Sequence, residues 1–167
     1  SPILTNSQFK KFKKFFSKKV KVVDCTFDIE KSLKERIESI REEAETAVRE
    51  GSTCLVLSDK NISNQKASIP SILTVGAVHS HLVKHGLRGY CSLNVECSDA
   101  MDTHSFAILI GVGATTVNPY LAIDSIYQRF EKKLFGKSDF EACVSKFKKS
   151  IDAGLLKIMS KMGISVI

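Results

Sequence analysis

The stretch CLVLSDKNISNQKASIPSILTVGAVHSHLVKHG, residues 54–86, contains one complete structural unit. Cys54 to Leu57 is a short aliphatic run of strand length, and it ends in the polar Ser58, Asp59 and Lys60. After a polar loop, Pro70 supplies the fixed φ of a helix start, and Ile72, Leu73, Val75, Ala77, Val78, Leu82 and Val83 continue a helical segment that Gly86 closes. A strand that is aliphatic without alternation is buried on both faces, as strands of parallel sheets are. Strand, loop and helix in that order form the repeating unit of such sheets.

The same unit recurs on both sides. Toward the N-terminus, Val20 to Val23 reads as a strand ending at Asp24, followed by a helix from Ile29 to Glu50 with Asp28 as its N-cap and Gly51 as its stop. Toward the C-terminus, Cys91 to Val95 precedes a helix entered near Asp102 and ended at Gly111 to Gly113. Ala114 to Val117 leads through Asn118 as N-cap and Pro119 as first helical residue into a helix reaching Phe130. Two more helices are expected, one announced by a capping box at Ser138 to Glu141 and one from Ile151 to Met162, before Ile164 to Ile167 opens another strand. The expectation is an α/β fold, a parallel sheet of about four to five strands built from βα units, in a single domain over residues 1–167. A start at Ser1 without methionine suits processing or a chosen boundary, and an end inside a strand suits either a cut through a longer βα array or an edge strand added to the sheet.

Composition narrows the class. The net charge of +7 equals the charge of Lys10, Lys11, Lys13, Lys14, Lys18, Lys19 and Lys21, so the rest of the chain is neutral. Phe9, Phe12, Phe15 and Phe16 interleave with these lysines at helical spacing, which reads as a basic amphipathic helix over 8–19 that docks its aromatic face on its own domain. Binding of nucleic acid by this helix is the less favoured reading; it predicts steep salt dependence, abolished when the lysines are deleted. The five cysteines are odd in number and scattered, which suits reduced thiols and a cytoplasmic protein, or an organellar one in a eukaryote. No apolar run approaches the roughly 18 residues that cross a bilayer, so no membrane partner is expected.

Each expected strand ends in polar residues: Asp24, then Ser58 with Asp59, then Glu96, then Asn118. Ligands of parallel α/β folds bind beyond the carboxyl ends of the strands, where these groups would converge. The same residue types are also the ordinary turn and cap residues of strand-to-helix loops. His81 and His85 share a helix face at the i, i+4 spacing of helical zinc sites, but no third ligand is evident in the sequence. Gly111-Val112-Gly113 follows a helix rather than a strand, Gly136-Lys137-Ser138 lacks the leading glycine of a P-loop, and adjacent His104 and Ser105 point apart. No complete catalytic set emerges, and no metal or cofactor is assigned to the chain.

Several longer stretches carry a resemblance. Leu55-Val56-Leu57-Ser58-Asp59 with Ile69-Pro70, Ala77 to Val83 closed by Gly86-Leu87-Arg88, and His104-Ser105-Phe106-Ala107 continue through Gly111 to Ala114 and Asn118 to Ala122. With the closing Gly154 to Ser165 they resemble the central domain of glutamate synthase large chains, in order from 53 to 167 and more loosely before that. The resemblance implies a half-barrel-like connector between two partners in the same polypeptide. One is an amidotransferase domain that releases ammonia from glutamine; the other is an FMN-binding domain, with an iron–sulfur cluster, that uses the ammonia to convert 2-oxoglutarate to glutamate. On that resemblance the chain binds no cofactor itself, is inactive alone, and helps wall the ammonia passage. The segment containing Lys157, Ser160, Lys161 and Ser165 is the expected contact with the FMN domain, its methionines suited to adaptable packing. The competing reading is a free-standing half-barrel that binds a small molecule or phosphate through Asp24, Asp59, Glu96 and Asn118.

Overall fold

A computed structural model describes residues 1–167. Six strands and six helices follow one another as α1 (Asn6–Phe16), β1 (Val20–Asp24), β2 (Thr26–Asp28), α2 (Leu33–Arg49), β3 (Cys54–Ser58), β4 (Lys66–Ser68), α3 (Ser71–Lys84), β5 (Ser92–Glu96), α4 (Thr103–Gly111), β6 (Thr116–Asn118), α5 (Tyr120–Glu131) and α6 (Phe140–Met162). Short 3-10 turns occupy Ser17–Lys19 and Arg88–Tyr90.

Four strands form a parallel sheet in the order β1-β3-β5-β6. The order advances with the chain and never reverses, so each right-handed crossover leaves its helix on the same face. That is the arrangement of a barrel segment, not of a doubly wound sheet with a switch point. Side-chain alternation divides the sheet accordingly. Val23, Leu55, Leu57, Leu93, Val95 and Val117 point to the helix side, where they form one core with Ile40 and Ala44 of α2, Val75, Val78 and Leu82 of α3, Phe106 and Leu109 of α4, and Ile151 and Leu155 of α6. The opposite face carries Val22, Val56, Asn94 and Thr116 in one register row, and Asp24, Ser58, Glu96 and Asn118 in the next.

The basic helix α1 covers part of that second face, while Val22 stays 48% exposed. Thr5 and Gln8 form a capping box at its start. Phe9 is 1% exposed, and Lys13 reaches across to Glu96 on β5, whereas Phe15 is 82% exposed. Lys10, Lys11 and Lys14 stand on the solvent side of this helix, while Phe9 and Lys13 dock on the sheet.

Several sequence expectations are corrected. The helix expected from Ile29 begins at Leu33, because Ser32, not Asp28, accepts the capping hydrogen bond, from the Glu35 amide. Asp28 belongs instead to β2, which pairs antiparallel with β4. Asn118 lies in β6 and caps nothing, and Pro119 is the N-cap residue of α5. The two C-terminal helices are one 23-residue helix capped by Asp139, with no glycine or proline at Ile151 to break it. Residues 164–167 form no strand. The position beside β6 is taken by the start of the chain, where Val117 N donates to Pro2 O and Leu4 N donates to Val117 O, both at 2.9 Å.

Candidate functional site

Parallel pairing in a common register places Asp24, Ser58, Glu96 and Asn118 side by side at the carboxyl ends of the four strands. Glu96 is the centre of the row and is 4% exposed. Ser58 Oγ donates to its Oε2 at 2.7 Å, and Lys13 and Lys60 approach its Oε1 at 3.0 and 3.1 Å. Burial alone would raise the Glu96 pKa; the hydrogen bond from Ser58 and the two lysines outweigh it and hold the carboxyl below its usual range. Both lysines are held against this one carboxylate, with their ammonium groups still partly open to water.

The flanking positions are also engaged from within the chain. Asn118 Nδ2 donates to Leu4 O and Asn6 Oδ1, each at 2.9 Å, which ties the start of α1 to the end of β6. Asp24 Oδ1 accepts from the Thr26 amide and hydroxyl, and its Oδ2 accepts from Asn61 at 3.1 Å. Against the opposing effect of burial, these bonds lower its pKa. Asp59 sits just beyond the row, where Oδ2 accepts from the Ser98 amide at 2.9 Å and hydroxyl at 2.6 Å, while its buried Oδ1 has no partner. Burial, with the Asp59 carboxylate beside it, pushes the Tyr120 phenol up, and Lys60 Nζ lies 5.0 Å from the centre of that ring. Lys13, Ser98 and Tyr120 escaped the sequence reading: Lys13 is one lysine in a run, Ser98 lies in a loop and Tyr120 opens α5, and only the fold brings them to the row.

A titration checks the electrostatics. The folded Glu96 carboxyl titrates below its unfolded value of about 4.3, so its stabilising contribution is fully present above that pH and is lost as pH falls through the lower folded value. Glu96→Gln is expected to flatten the acid limb of the denaturation midpoint between about pH 5 and 3. Above pH 5 it should cost about 1–2 kcal/mol, less than a fully buried pair, because Lys13 and Lys60 can turn to water. An acid limb with the wild-type slope would remove Glu96 from this role.

Lys157, Ser160 and Lys161 are exposed on the last turns of α6, and Ser165 is exposed beyond it. They do not join the strand-end row. Their helix flanks an apolar groove of about 960 Å³ lined by Ile108 and Ile110 of α4 and by Ile158, Met159 and Met162 of α6. The cysteines do not suit an iron–sulfur cluster. All five are buried and unpaired, none belongs to a group of three possible metal ligands, and burial pushes Cys25 up to about 12 and raises Cys91 and Cys97 as well.

A family model described as the glutamate synthase central domain matches residues 1–167. The chain belongs to that family. Over 170 residues it is 46% identical to the glutamate synthase [NADPH] large chain of Azospirillum brasilense, and over 173 residues 40% identical to that of Bacillus subtilis. The chloroplastic ferredoxin-dependent glutamate synthase of Spinacia oleracea is 38% identical over 182 residues. In all three cases the whole of this chain is aligned, and it spans about 11% of the relative's length. A solved chain described as a fructose-1,6-biphosphate aldolase from Coccidioides immitis aligns with 84% of this chain and 56% of its own, at 15% identity and a TM-score of 0.39, too low to carry an argument. Central domains of glutamate synthase thus occur with NADPH-dependent and ferredoxin-dependent relatives alike, and no helix of this one is long and apolar enough to cross a membrane.

Proposed function

We propose that this central domain is a connector within a glutamate synthase, holding an amidotransferase domain and an FMN domain apart and walling part of the ammonia path between them. The observation that carries this reading is the strand-end row itself. At the place where a half-barrel would present a ligand site, Glu96 is engaged by Ser58, Lys13 and Lys60 of the same chain, and Asn118 by the start of α1. A strand-end site whose polar groups bind one another is suited to rigidity. The full-length family match to a segment making up about a tenth of its relatives supports the same view. In the parent enzyme, FMN and the iron–sulfur cluster would sit on the neighbouring domain, and Lys157, Ser160, Lys161 and Ser165 would face it across the rim of the apolar groove.

Two experiments test the reading. The 167-residue chain is expected to show no stoichiometric FMN binding and a flat melting temperature against flavins, glutamine, 2-oxoglutarate and phosphorylated metabolites. In the whole enzyme, Lys157→Glu with Lys161→Glu is expected to lower glutamine-dependent glutamate formation more than ammonia-dependent formation, since a misaligned wall leaks ammonia before it reaches the second site. A specific ligand that raises the melting temperature by several degrees would favour the alternative, a small-molecule site at the row. One feature points that way, the buried Asp59 Oδ1 without a partner.

A further inference from the structure

On the opposite side of the molecule from the strand-end row, α2 and α3 bring three ligating side chains together. His81, in the last turn of α3, and His85, its C-cap residue, have ring centroids 4.3 Å apart, and Glu45 faces them from α2. His81 Nε2 is 2.6 Å from Glu45 Oε2, and one ligand atom from each of the three residues lies within 4.8 Å of the other two. No other group of three or more His, Cys, Asp or Glu side chains in the chain converges this closely.

His81 Nε2 donates to Glu45 Oε2, so a cation binds there only by displacing that proton, and binding is expected to weaken as pH falls. Arg49 engages Glu45 Oε1 at 2.8 Å and leaves Oε2 directed at the imidazoles. His85 Nδ1 lies 2.8 Å from the carbonyl oxygen of His81. A carbonyl can only accept, so Nδ1 bears a proton; Nδ1 also lies 3.9 Å from Glu45 Oε2, and the ring must turn to present Nε2 to an ion. A ligating histidine whose other nitrogen donates to a backbone carbonyl is oriented in the way metal sites require. A tetrahedral ion with bonds of roughly 2.0–2.1 Å spaces its ligands roughly 3.3 Å apart, within reach of side-chain rotation from the arrangement here. Two imidazoles and one carboxylate suit zinc and its first-row neighbours better than magnesium or calcium, which favour all-oxygen shells.

We propose that Glu45, His81 and His85 form a binding site for a divalent transition ion of the zinc class, which clamps α2 to α3 on the outer face of the half-barrel. Three protein ligands leave a coordination position for water, so the site is suited to a bridging or regulatory ion rather than a sealed structural one.

Titration of zinc chloride into the reduced 167-residue chain, followed by calorimetry and thermal melting, tests this. One ion per chain is expected to bind, magnesium in excess is expected not to compete, and saturating zinc should raise the melting temperature by roughly 5–10 °C. Glu45→Gln and His85→Gln should each weaken zinc binding by at least the roughly 10–100-fold typical of weaker, outer-sphere losses. Their circular dichroism should be unchanged, since both side chains lie toward the surface. Independently of any variant, zinc should move the imidazole nitrogen resonances of His81 and His85 in the wild-type chain and leave those of His79 and His104 in place. Zinc bound with equal affinity by both variants, an equal response to magnesium, or no movement of the His81 and His85 resonances would each overturn the proposal.

Discussion

Gly113→Ala is expected to lower the unfolding free energy by about 2–6 kcal/mol, the sum of two independent penalties. The first is backbone strain. Gly113 has φ of +116°, outside the region open to L-residues, and holding alanine there costs about 1–3 kcal/mol. The second is steric. An added Cβ would run into His79 Nδ1 and lie 2.6 Å from its Cγ. The imidazole cannot simply swing aside, because Arg88 Nε donates to Nδ1 at 3.1 Å while the other guanidinium nitrogens donate to Cys91 O at 2.6 Å and Gly113 O at 2.9 Å. Displacing the ring therefore disturbs the link that joins the end of α3 to the entries of β5 and β6, at an overpacking cost of about 1–3 kcal/mol. Gly111→Ala is the control: a Cβ there meets nothing within 4 Å and the residue is helical, so that variant should be neutral or slightly stabilising. Urea denaturation of the two variants beside the wild type decides the matter, and equal midpoints for all three would mean that the loop relaxes at no cost.

The second large effect concerns α1. Phe9→Ala should cost about 3 kcal/mol, the lower end of the range for a buried phenylalanine, because the helix can settle partway into the space left behind. Phe9 stacks on Phe12 at 5.9 Å, and Lys13, which pairs with Glu96, lies 5.0 Å from the centre of the Phe9 ring, so removing the anchor also loosens the lysine that neutralises the strand-end row. The loss should be visible to trypsin. The lysine run is protected while the helix is docked, and in the variant cleavage between Lys10 and Lys21 should accelerate. Phe15→Ala, on the same helix but 82% exposed, should change stability by no more than about 0.5 kcal/mol. If Phe15→Ala is as damaging as Phe9→Ala, the orientation of α1 is wrong.

The parts of the fold that were legible from the sequence share one property: hydrophobic pattern and chain order suffice to specify them. Cys54–Leu57, its helix after Pro70 and the repetition of that unit dictate a parallel sheet whatever the loops do. The small β2–β4 pair was invisible, because Thr26–Asp28 and Lys66–Ser68 are too short to show a period and pair across a long separation in sequence. The terminal strand failed for another reason. Ile164–Ile167 has strand composition, but the edge it would need is already covered by Pro2 to Leu4, and competition for an edge is a tertiary event. At the candidate site the strand ends were readable one by one, and the common register was not. Asp24, Ser58, Glu96 and Asn118 fall in one row only because each crossover closes to the same depth. His81 and His85 were legible as a helical pair; Glu45 was not, since its place beside them follows from how α2 packs against α3.

The burial of all five thiols has a practical consequence. Alkylating reagents attack the thiolate, and with the sulfur atoms enclosed and the Cys25 thiol pushed up to about 12, the native chain should take up maleimide slowly while folded. A cysteine introduced at an exposed position such as Phe15→Cys would then be the single fast-reacting group. A fluorophore or spin label could be placed on the basic helix without first removing any native cysteine, and its release from the sheet followed in real time.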